Sequence, residues 1–466
     1  MASILLILLL FASFRVHMKL FLDWSSYKDA GMGDAYADIP KTGDDYAKAI
    51  AVCIASHACE TKDRGVMCPS YRVSEKTEFS TGGRVKLLKA ALNGELGQTP
   101  FNHPELAEAM DLCVSCKGCK RECENEVDMA LIKAEFMAQR FSETGVPRRN
   151  RVFAEMPKFL HYIPKFPSLI RWRNRSPKVA QLGEKFLGIS AAVKLPEPAI
   201  HAFSPEKVKH NLNTPSEMPR IVLFVDTFNR HFNPAVAEAA ISVLSAAGYD
   251  VSLLEQDASQ SSRPLCCGRT YFANGMIEQA RQEAQRLLHA LTPHLAADTW
   301  IIGLEPSCIL SLRDEHLKLN LGDKSKQLAE RVVLFEEFIA KEITAKRWSL
   351  TFNELTDQTF LVHGHCHQKA VGAIKAMRKV LKLIPKLNSR NIESSCCGMA
   401  GQFGLEAEHV EMATQMAEQG LYPAIKAEPE STVIANGFSC QQQIINGGFA
   451  KPLHIAEILN AALVRD

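Results

Sequence analysis

Seven of the 14 cysteines fall between Cys53 and Cys123, and four of these run Cys113-x-x-Cys116-x-x-Cys119-x-x-x-Cys123. Two-residue gaps let three thiolates converge on one cube of iron and sulfide, while the fourth points toward a second cluster. A zinc site needs only two close pairs, so this spacing favours iron–sulfur over zinc or free thiols. Glu124 stands where a proline usually follows the fourth cysteine. Upstream lie Cys53-x5-Cys59 and then Cys68-Pro69. In a two-cluster arrangement the Cys-Pro cysteine of one motif completes the cluster held by the other motif's first three. Cys68 with Cys113, Cys116 and Cys119 is therefore expected to hold one [4Fe-4S] cluster. Cys53, Cys59 and Cys123 leave a second set one ligand short. His57, a backbone or solvent ligand, or a three-iron cluster would close it, and His57 is read as a bystander.

The other seven cysteines form two similar constellations. One is Cys366, Cys396-Cys397-Gly398 and Cys440, with His363, His365 and His367 close by in sequence. The other is Cys266-Cys267-Gly268 and Cys308, with Asp226 taken as the counterpart of Cys366. An iron–sulfur or other metal site, a redox-active thiol pair and buried structural cysteines are all open readings. Four thiolates suffice to close a metal site, whereas a carboxylate is a harder ligand that suits a soft cluster less well. A metal is therefore expected in the later constellation, and an empty or weaker site in the earlier one. No G-x-G-x-x-G follows the first strands and no G-x-x-x-x-G-K-[ST] occurs, so any FAD is expected on another chain.

The elements that must position these groups alternate. Ile221–Val225 reads as a strand, 235–247 as a helix closed by Gly248, 249–254 as a strand, 276–297 as a helix and 300–304 as a strand. The order recurs with strands at 360–362 and 432–435 and helices at 370–383 and 407–427. Strand, helix, Cys-Cys-Gly, helix, strand, Cys appears twice, which is an internal duplication. Alternating strands and helices imply parallel sheets, whose functional groups gather beyond the carboxyl ends of the strands. The expected fold is α/β with an α-helical, dicluster-ferredoxin-like N-terminal domain and duplicated parallel α/β CCG modules. The expected divisions are an N-terminal extension (1–45), the helical iron–sulfur domain (46–146), a basic, Pro-containing linker or surface arm (147–218) and the two modules (219–345 and 346–466).

With 466 residues, 46% hydrophobic and 23% charged, the chain can bury a normal core. A net charge of +2 gives no electrostatic footprint for nucleic acid. Clustered cysteines point to a reducing, cytoplasmic compartment. Residues 2–14 are apolar but too short for a spanning helix. They read as an extension, or as a weak anchor that would leave the rest at the cytoplasmic face of a membrane.

Taken together, Met67-Cys68-Pro69-Ser70-Tyr71, Ser80-Thr81-Gly82-Gly83-Arg84, the four-cysteine run and the two CCG modules form one order. That order resembles the iron–sulfur subunits of glycolate oxidase and anaerobic glycerol-3-phosphate dehydrogenase. It is similar above all to the C-terminal iron–sulfur half of FAD-linked D-lactate and D-2-hydroxyglutarate dehydrogenases, and the CCG modules are similar to those of heterodisulfide reductase. The resemblance implies an electron-transfer subunit that takes electrons from a flavoprotein oxidising a 2-hydroxy acid and delivers them to a quinone or soluble acceptor. A self-contained reductase acting at the CCG sites and a structural zinc protein are the alternatives. Two departures stand out. The upstream motif lacks the C-x-x-C-x-x-C form, and Glu305 and Gly437 occupy positions where full CCG modules carry a further cysteine.

Overall fold

Between Asp44 and Thr144 the chain is helical, with its longest helices at Thr81–Leu92 and Met129–Thr144. Side-chain caps set their starts: Ser80 accepts from the Gly83 N–H at 2.9 Å and Asp128 from the Leu131 N–H at 3.1 Å. Gly145, at φ +78°, ends the second. Tyr46, Ile50, Leu88, Leu106, Met110 and Phe136 are buried together and hold these helices around one apolar core. The computed structural model describes residues 18–34, 37–61, 65–163, 165–207, 220–255, 263–295, 299–356 and 358–465. The apolar run 2–14 lies outside them. Among the described residues no helix is long and apolar enough to cross a membrane.

Two parallel sheets follow. The first contains β1 (Arg220–Phe224), β2 (Asp250–Leu253), β3 (Trp300–Gly303) and β4 (Val332–Leu334), in the order β2-β1-β3-β4. The second contains β5 (Thr359–Val362), β6 (Asn388–Asn391) and β7 (Thr432–Ile434), in the order β6-β5-β7. A single parallel bridge from Ile434 to Leu453 lies beside β7, as β4 lies beside β3. Central strands such as β1 are apolar and buried over most of their length, as covered parallel strands must be. β6 is Asn-Ser-Arg-Asn and wholly exposed, an edge strand held by backbone pairing with β5 and by the side chains of Asn388 and Arg390, which reach Thr359 and Glu428 at 3.0 Å each. The sheets share one core, in which Leu223, Val251 and Ile302 join Phe360, Val362 and Ile434.

Register aligns the two halves residue by residue. Leu223 pairs with Ile302, and Val362 with Ile434. Ile302 precedes Cys308 by six residues, as Ile434 precedes Cys440. Leu223 thus corresponds to Val362, and Asp226 to His365. Both of the latter cap five-residue helices, Thr227–His231 and Cys366–Ala370.

The described residues of the basic stretch 147–218 include four α-helices, Arg148–Ala154, Met156–Tyr162, Phe166–Arg175 and Pro177–Leu187. It straps across both sheets. Thr270 Oγ1 donates to the Ala154 carbonyl at 2.9 Å, Arg149 pairs with Glu406 and Glu408, and the Ser190 N–H donates to the Leu405 carbonyl at 2.9 Å.

Candidate metal centres

Cys113, Cys116 and Cys119 are buried, the first two on a loop whose tight path puts Ser115 and Lys117 at φ +49° and +61°, and the third in the Gly118–Glu122 helix that follows. Such left-handed conformations are uncommon outside glycine and mark a backbone wrapped to aim side chains at one point. Gly118 lets this loop approach the 66–68 segment, since a Cβ there would stand 3.0 Å from the Met67 Cα. Glu122 clamps that segment, its carboxylate accepting from the Val66 N–H at 2.8 Å and the Met67 N–H at 2.9 Å. Arg84 is buried and braces it from behind, donating to the Ala109 carbonyl at 2.6 Å and to Ser70 Oγ at 2.7 Å. The Ser-Thr-Gly-Gly-Arg and Cys-Pro-Ser-Tyr motifs therefore meet in space.

Backbone N–H groups already point at the sulfurs. Thr81 N–H donates to Cys68 Sγ at 3.0 Å, Gly82 N–H to Cys59 Sγ at 3.3 Å and Gly118 N–H to Cys116 Sγ at 3.5 Å. Such bonds favour the charged sulfur and are among the features that set cluster potentials. Burial together with Asp128 pushes the Cys119 thiol up to about 12, so a proton stays unless a metal ion replaces it. The donor set and its N–H bonds fit an iron–sulfur cluster. Cys68 sits between the two expected sets: its hydrogen bond with Cys59, together with the Gly82 and Ser80 bonds, brings Cys59 down to about 6, and it also feels Cys119. Cys53 is half-buried near Cys59 and Cys123, and burial raises its pKa. His57 turns away, 70% exposed and paired with Glu60 at 3.0 Å.

In the second sheet's half, hydrogen bonds link four buried thiols in a chain: Cys366 to Cys396, Cys396 to Cys397, and Cys397 to Cys440. A ring nitrogen of His363 and the sulfurs of Cys397 and Cys440 all lie within 4.8 Å of one another. His363 Nδ1 meets Ser394 Oγ at 3.2 Å, whereas its buried Nε2 has no partner. Burial holds this imidazole well below its ordinary pKa, so it is neutral and carries a lone pair. A buried, neutral imidazole with an unpartnered ring nitrogen, next to two thiols, fits a metal ligand set. Sequence reasoning noted His363 as a neighbour but did not count it as a ligand. Its position, the first residue beyond β5, was the available signal.

The first sheet's half has a shorter chain, Cys266 to Cys267 to Cys308. By the strand register, Phe224 stands where His363 stands in the other half, and Thr227 where Cys366 stands. The pairing of Asp226 with Cys366 is thus corrected. Asp226 caps a helix, accepting from the Phe228 and Asn229 N–H groups at 2.9 and 3.1 Å and from Asn229 Nδ2 at 2.7 Å. His365 does the same work in the other half, accepting from the His367 N–H at 3.2 Å. Glycine follows both cysteine pairs for one reason. Gly268 and Gly398 are at φ +80° and +90°, and a Cβ on either would run into a helix carbonyl, that of Ala280 or Ala413. The two residues that depart from the full CCG pattern, Gly437 and Glu305, also have physical roles. Gly437 leaves room for the His365 ring, and the Glu305 carboxylate crosses between the halves to accept from the Phe438 N–H at 2.7 Å. Burial and the nearby Asp226 push Glu305 up to about 7.

The helical domain brings its cysteines against the second half. Cys116 packs with Cys366 and Cys396 in one buried cluster that includes Val114, Phe403 and Met416. His367 Nε2 lies 3.3 Å from the Ser115 carbonyl, and Arg121 Nη1 donates to the Lys369 carbonyl at 2.7 Å. The first half docks through charge. Lys117 pairs with Asp314 at 2.5 Å and Glu315 at 3.0 Å, while Lys120 pairs with Asp314 at 2.7 Å and Asp128 at 2.9 Å.

Residues 48–128 match the 4Fe-4S dicluster domain family, and residues 360–445 match the cysteine-rich domain family. D-2-hydroxyglutarate dehydrogenase of Escherichia coli K12 is 21% identical over 84% of this chain and 41% of its own length. One of the subunits of anaerobic glycerol-3-phosphate dehydrogenase from the same organism is 25% identical over 48% of this chain and 54% of its own. Lactate utilization protein A of an Exiguobacterium strain is 25% identical over 52% of this chain and 98% of its own. The chain fits the iron–sulfur family that its motifs resemble. It is an iron–sulfur protein related to dehydrogenase subunits, which supports an electron-transfer role. It spans about two-fifths of the length of the D-2-hydroxyglutarate dehydrogenases it matches.

Proposed function

We propose that this chain is the electron-transfer subunit of an FAD-linked dehydrogenase whose flavoprotein partner oxidises a 2-hydroxy acid of the glycolate or D-lactate type, with a quinone or soluble acceptor downstream. The observation that carries the reading is that Cys116, Cys366 and Cys396 lie in one buried cluster, which brings the two candidate centres together. Cys68, Cys113, Cys116 and Cys119 would hold one [4Fe-4S] cluster, and Cys53, Cys59 and Cys123 would contribute to a second. His363, Cys397 and Cys440, with Cys366 and Cys396 adjoining, would hold the metal of the C-terminal module. Such groups supply one-electron storage at potentials tuned by their hydrogen bonds and burial. The protein's own part is to bury the sulfurs, aim N–H groups at them and keep the two centres together. The matching strand orders, caps and glycines support reading residues 219–345 as a diverged copy of the C-terminal module, with Cys266, Cys267 and Cys308 as remnants of its site. The flavin, with its hydride chemistry, belongs to the partner.

Anaerobic purification with iron and acid-labile sulfide analysis tests this reading. Cys116→Ser should remove most of the visible iron–sulfur absorbance. An unchanged spectrum would overturn the ligand assignment, and zinc in place of iron would overturn the redox role.

A further inference from the structure

The strap between the helical domain and the first sheet carries a second feature. Residues 147–187 hold ten Lys and Arg against two Glu, or +8, in a chain whose total is +2, so the remainder is −6. Of the twelve large hydrophobic side chains exposed among the described residues, six lie between Tyr162 and Phe186. Scattered exposed apolar side chains are ordinary, whereas a concentration rimmed by charge marks a surface with a partner.

The arrangement is periodic. On the Phe166–Arg175 helix, Leu169 and Trp172 share one exposed face, three residues apart, with Lys165 and Arg175 at its ends. On the Pro177–Leu187 helix, which packs beside it, Leu182 and Phe186 share a face four residues apart, with Lys178 and Lys185 alongside. Trp172 is 59% and Phe186 70% exposed. The inward faces already have partners: Ala180 is buried, and Arg173 is buried while donating to the Val193 carbonyl at 2.6 Å. The outward apolar faces are not used by the fold.

We propose that these two helices seat the protein on an anionic lipid surface, with Leu169, Trp172, Leu182 and Phe186 entering the headgroup–acyl boundary and the flanking cations meeting lipid phosphates. Two amphipathic helices with aromatic and aliphatic side chains on one face and cations beside them are the form of a peripheral membrane anchor. Long Lys and Arg stems let the charge reach the headgroups while the chain lies on apolar surface. An acidic protein partner would also meet positive charge. Protein interfaces are depleted in Lys, however, and Lys165, Lys178 and Lys185 all flank this patch. The proposal does not depend on the electron-transfer reading.

The test uses the full chain with vesicles of phosphatidylcholine, with or without phosphatidylglycerol, and brominated phosphatidylcholine as a quencher. The chain should co-sediment with anionic vesicles, less so with neutral ones or at high salt. Brominated lipid should quench part of the fluorescence of the chain's four Trp residues. That part should vanish in Trp172→Phe, which still sediments. Replacing Leu169, Trp172, Leu182 and Phe186 together by Ser should lower partitioning at least about tenfold. Absence of sedimentation on anionic vesicles would overturn the proposal. Quenching that persists in Trp172→Phe would also do so, because it would place the contact near one of the other Trp residues, Trp24, Trp300 or Trp348. A patch that bound an acidic protein but not lipid would do so as well.

Discussion

Replacing Asp314 by Asn removes the anion between Lys117 and Lys120 while keeping its shape. The Asp314 side chain is 23% and that of Lys117 6% exposed, so the pair lies largely out of water. Breaking a buried ion pair from one side costs about 3–5 kcal/mol, because the remaining charge stays desolvated. Lys117 keeps Glu315 and Lys120 keeps Asp128, which places the expected loss at the low end, about 3 kcal/mol. Burial opposes ionisation of Asp314, but Lys117 and Lys120 outweigh it and hold the carboxyl well below its ordinary 3.8. A depressed folded-state pKa gives stability that is fully present above the unfolded value and is lost as pH falls through the folded one. The deficit of Asp314→Asn should therefore be constant from neutral pH down to about 5 and should narrow only below about 4. Urea unfolding of both proteins followed by circular dichroism across this range measures it, and Lys117→Met completes a double-mutant cycle. A variant within about 0.5 kcal/mol of the parent at neutral pH would refute the reasoning. So would a deficit that failed to shrink in acid.

The paired glycines should differ. Gly398→Ala and Gly268→Ala each force a Cβ into left-handed backbone at about 1–2 kcal/mol, but only at Gly268 is the Cβ as far as 2.8 Å from the facing carbonyl oxygen. Gly398→Ala should consequently lower the unfolding midpoint more, and the reverse order would contradict the geometry. Metal analysis of folded variants should find the C-terminal metal lost in His363→Ala and Cys397→Ala and retained in Cys267→Ala. Loss only in Cys267→Ala would reverse the assignment between halves, and loss in none would favour buried structural thiols. In the intact chain, Cys113→Ser should lose iron together with Cys116→Ser, and a variant that kept full iron would not belong to the same cluster.

The strands β1, β2, β3, β5 and β7, their parallel pairing and the cysteine placement were legible because apolar strands and Cys-Cys-Gly pairs leave local marks. β6 was not, since Asn388–Asn391 has no apolar residue and is held by its pairing with β5 and by polar side-chain bonds. The helix expected over 407–427 is two helices, Val410–Glu418 and Leu421–Ala427. Gly420 breaks it where the chain meets the Glu393 carbonyl. Residues 147–218 read as a connector because Arg and Pro signal solvent, yet Arg149 and Arg173 are anchored by long-range partners. Asp226 was paired with Cys366 because each follows the first strand of its half. Only the strand register reveals that it matches the helix cap His365, and that the residue matching His363 is Phe224. Whether a side chain caps a helix or faces a metal depends on a one-residue offset that composition does not encode.

The central claim is that electrons enter this chain from a separate flavoprotein. Anaerobic mixing of the purified chain with the flavoprotein that co-purifies with it, and then with a 2-hydroxy acid, tests it by visible absorbance. The account predicts bleaching of the iron–sulfur bands only when both proteins and the acid are present, and no FAD on this chain alone. Stoichiometric FAD on the isolated chain, or clusters that stay oxidised while the flavoprotein consumes its substrate, would contradict it.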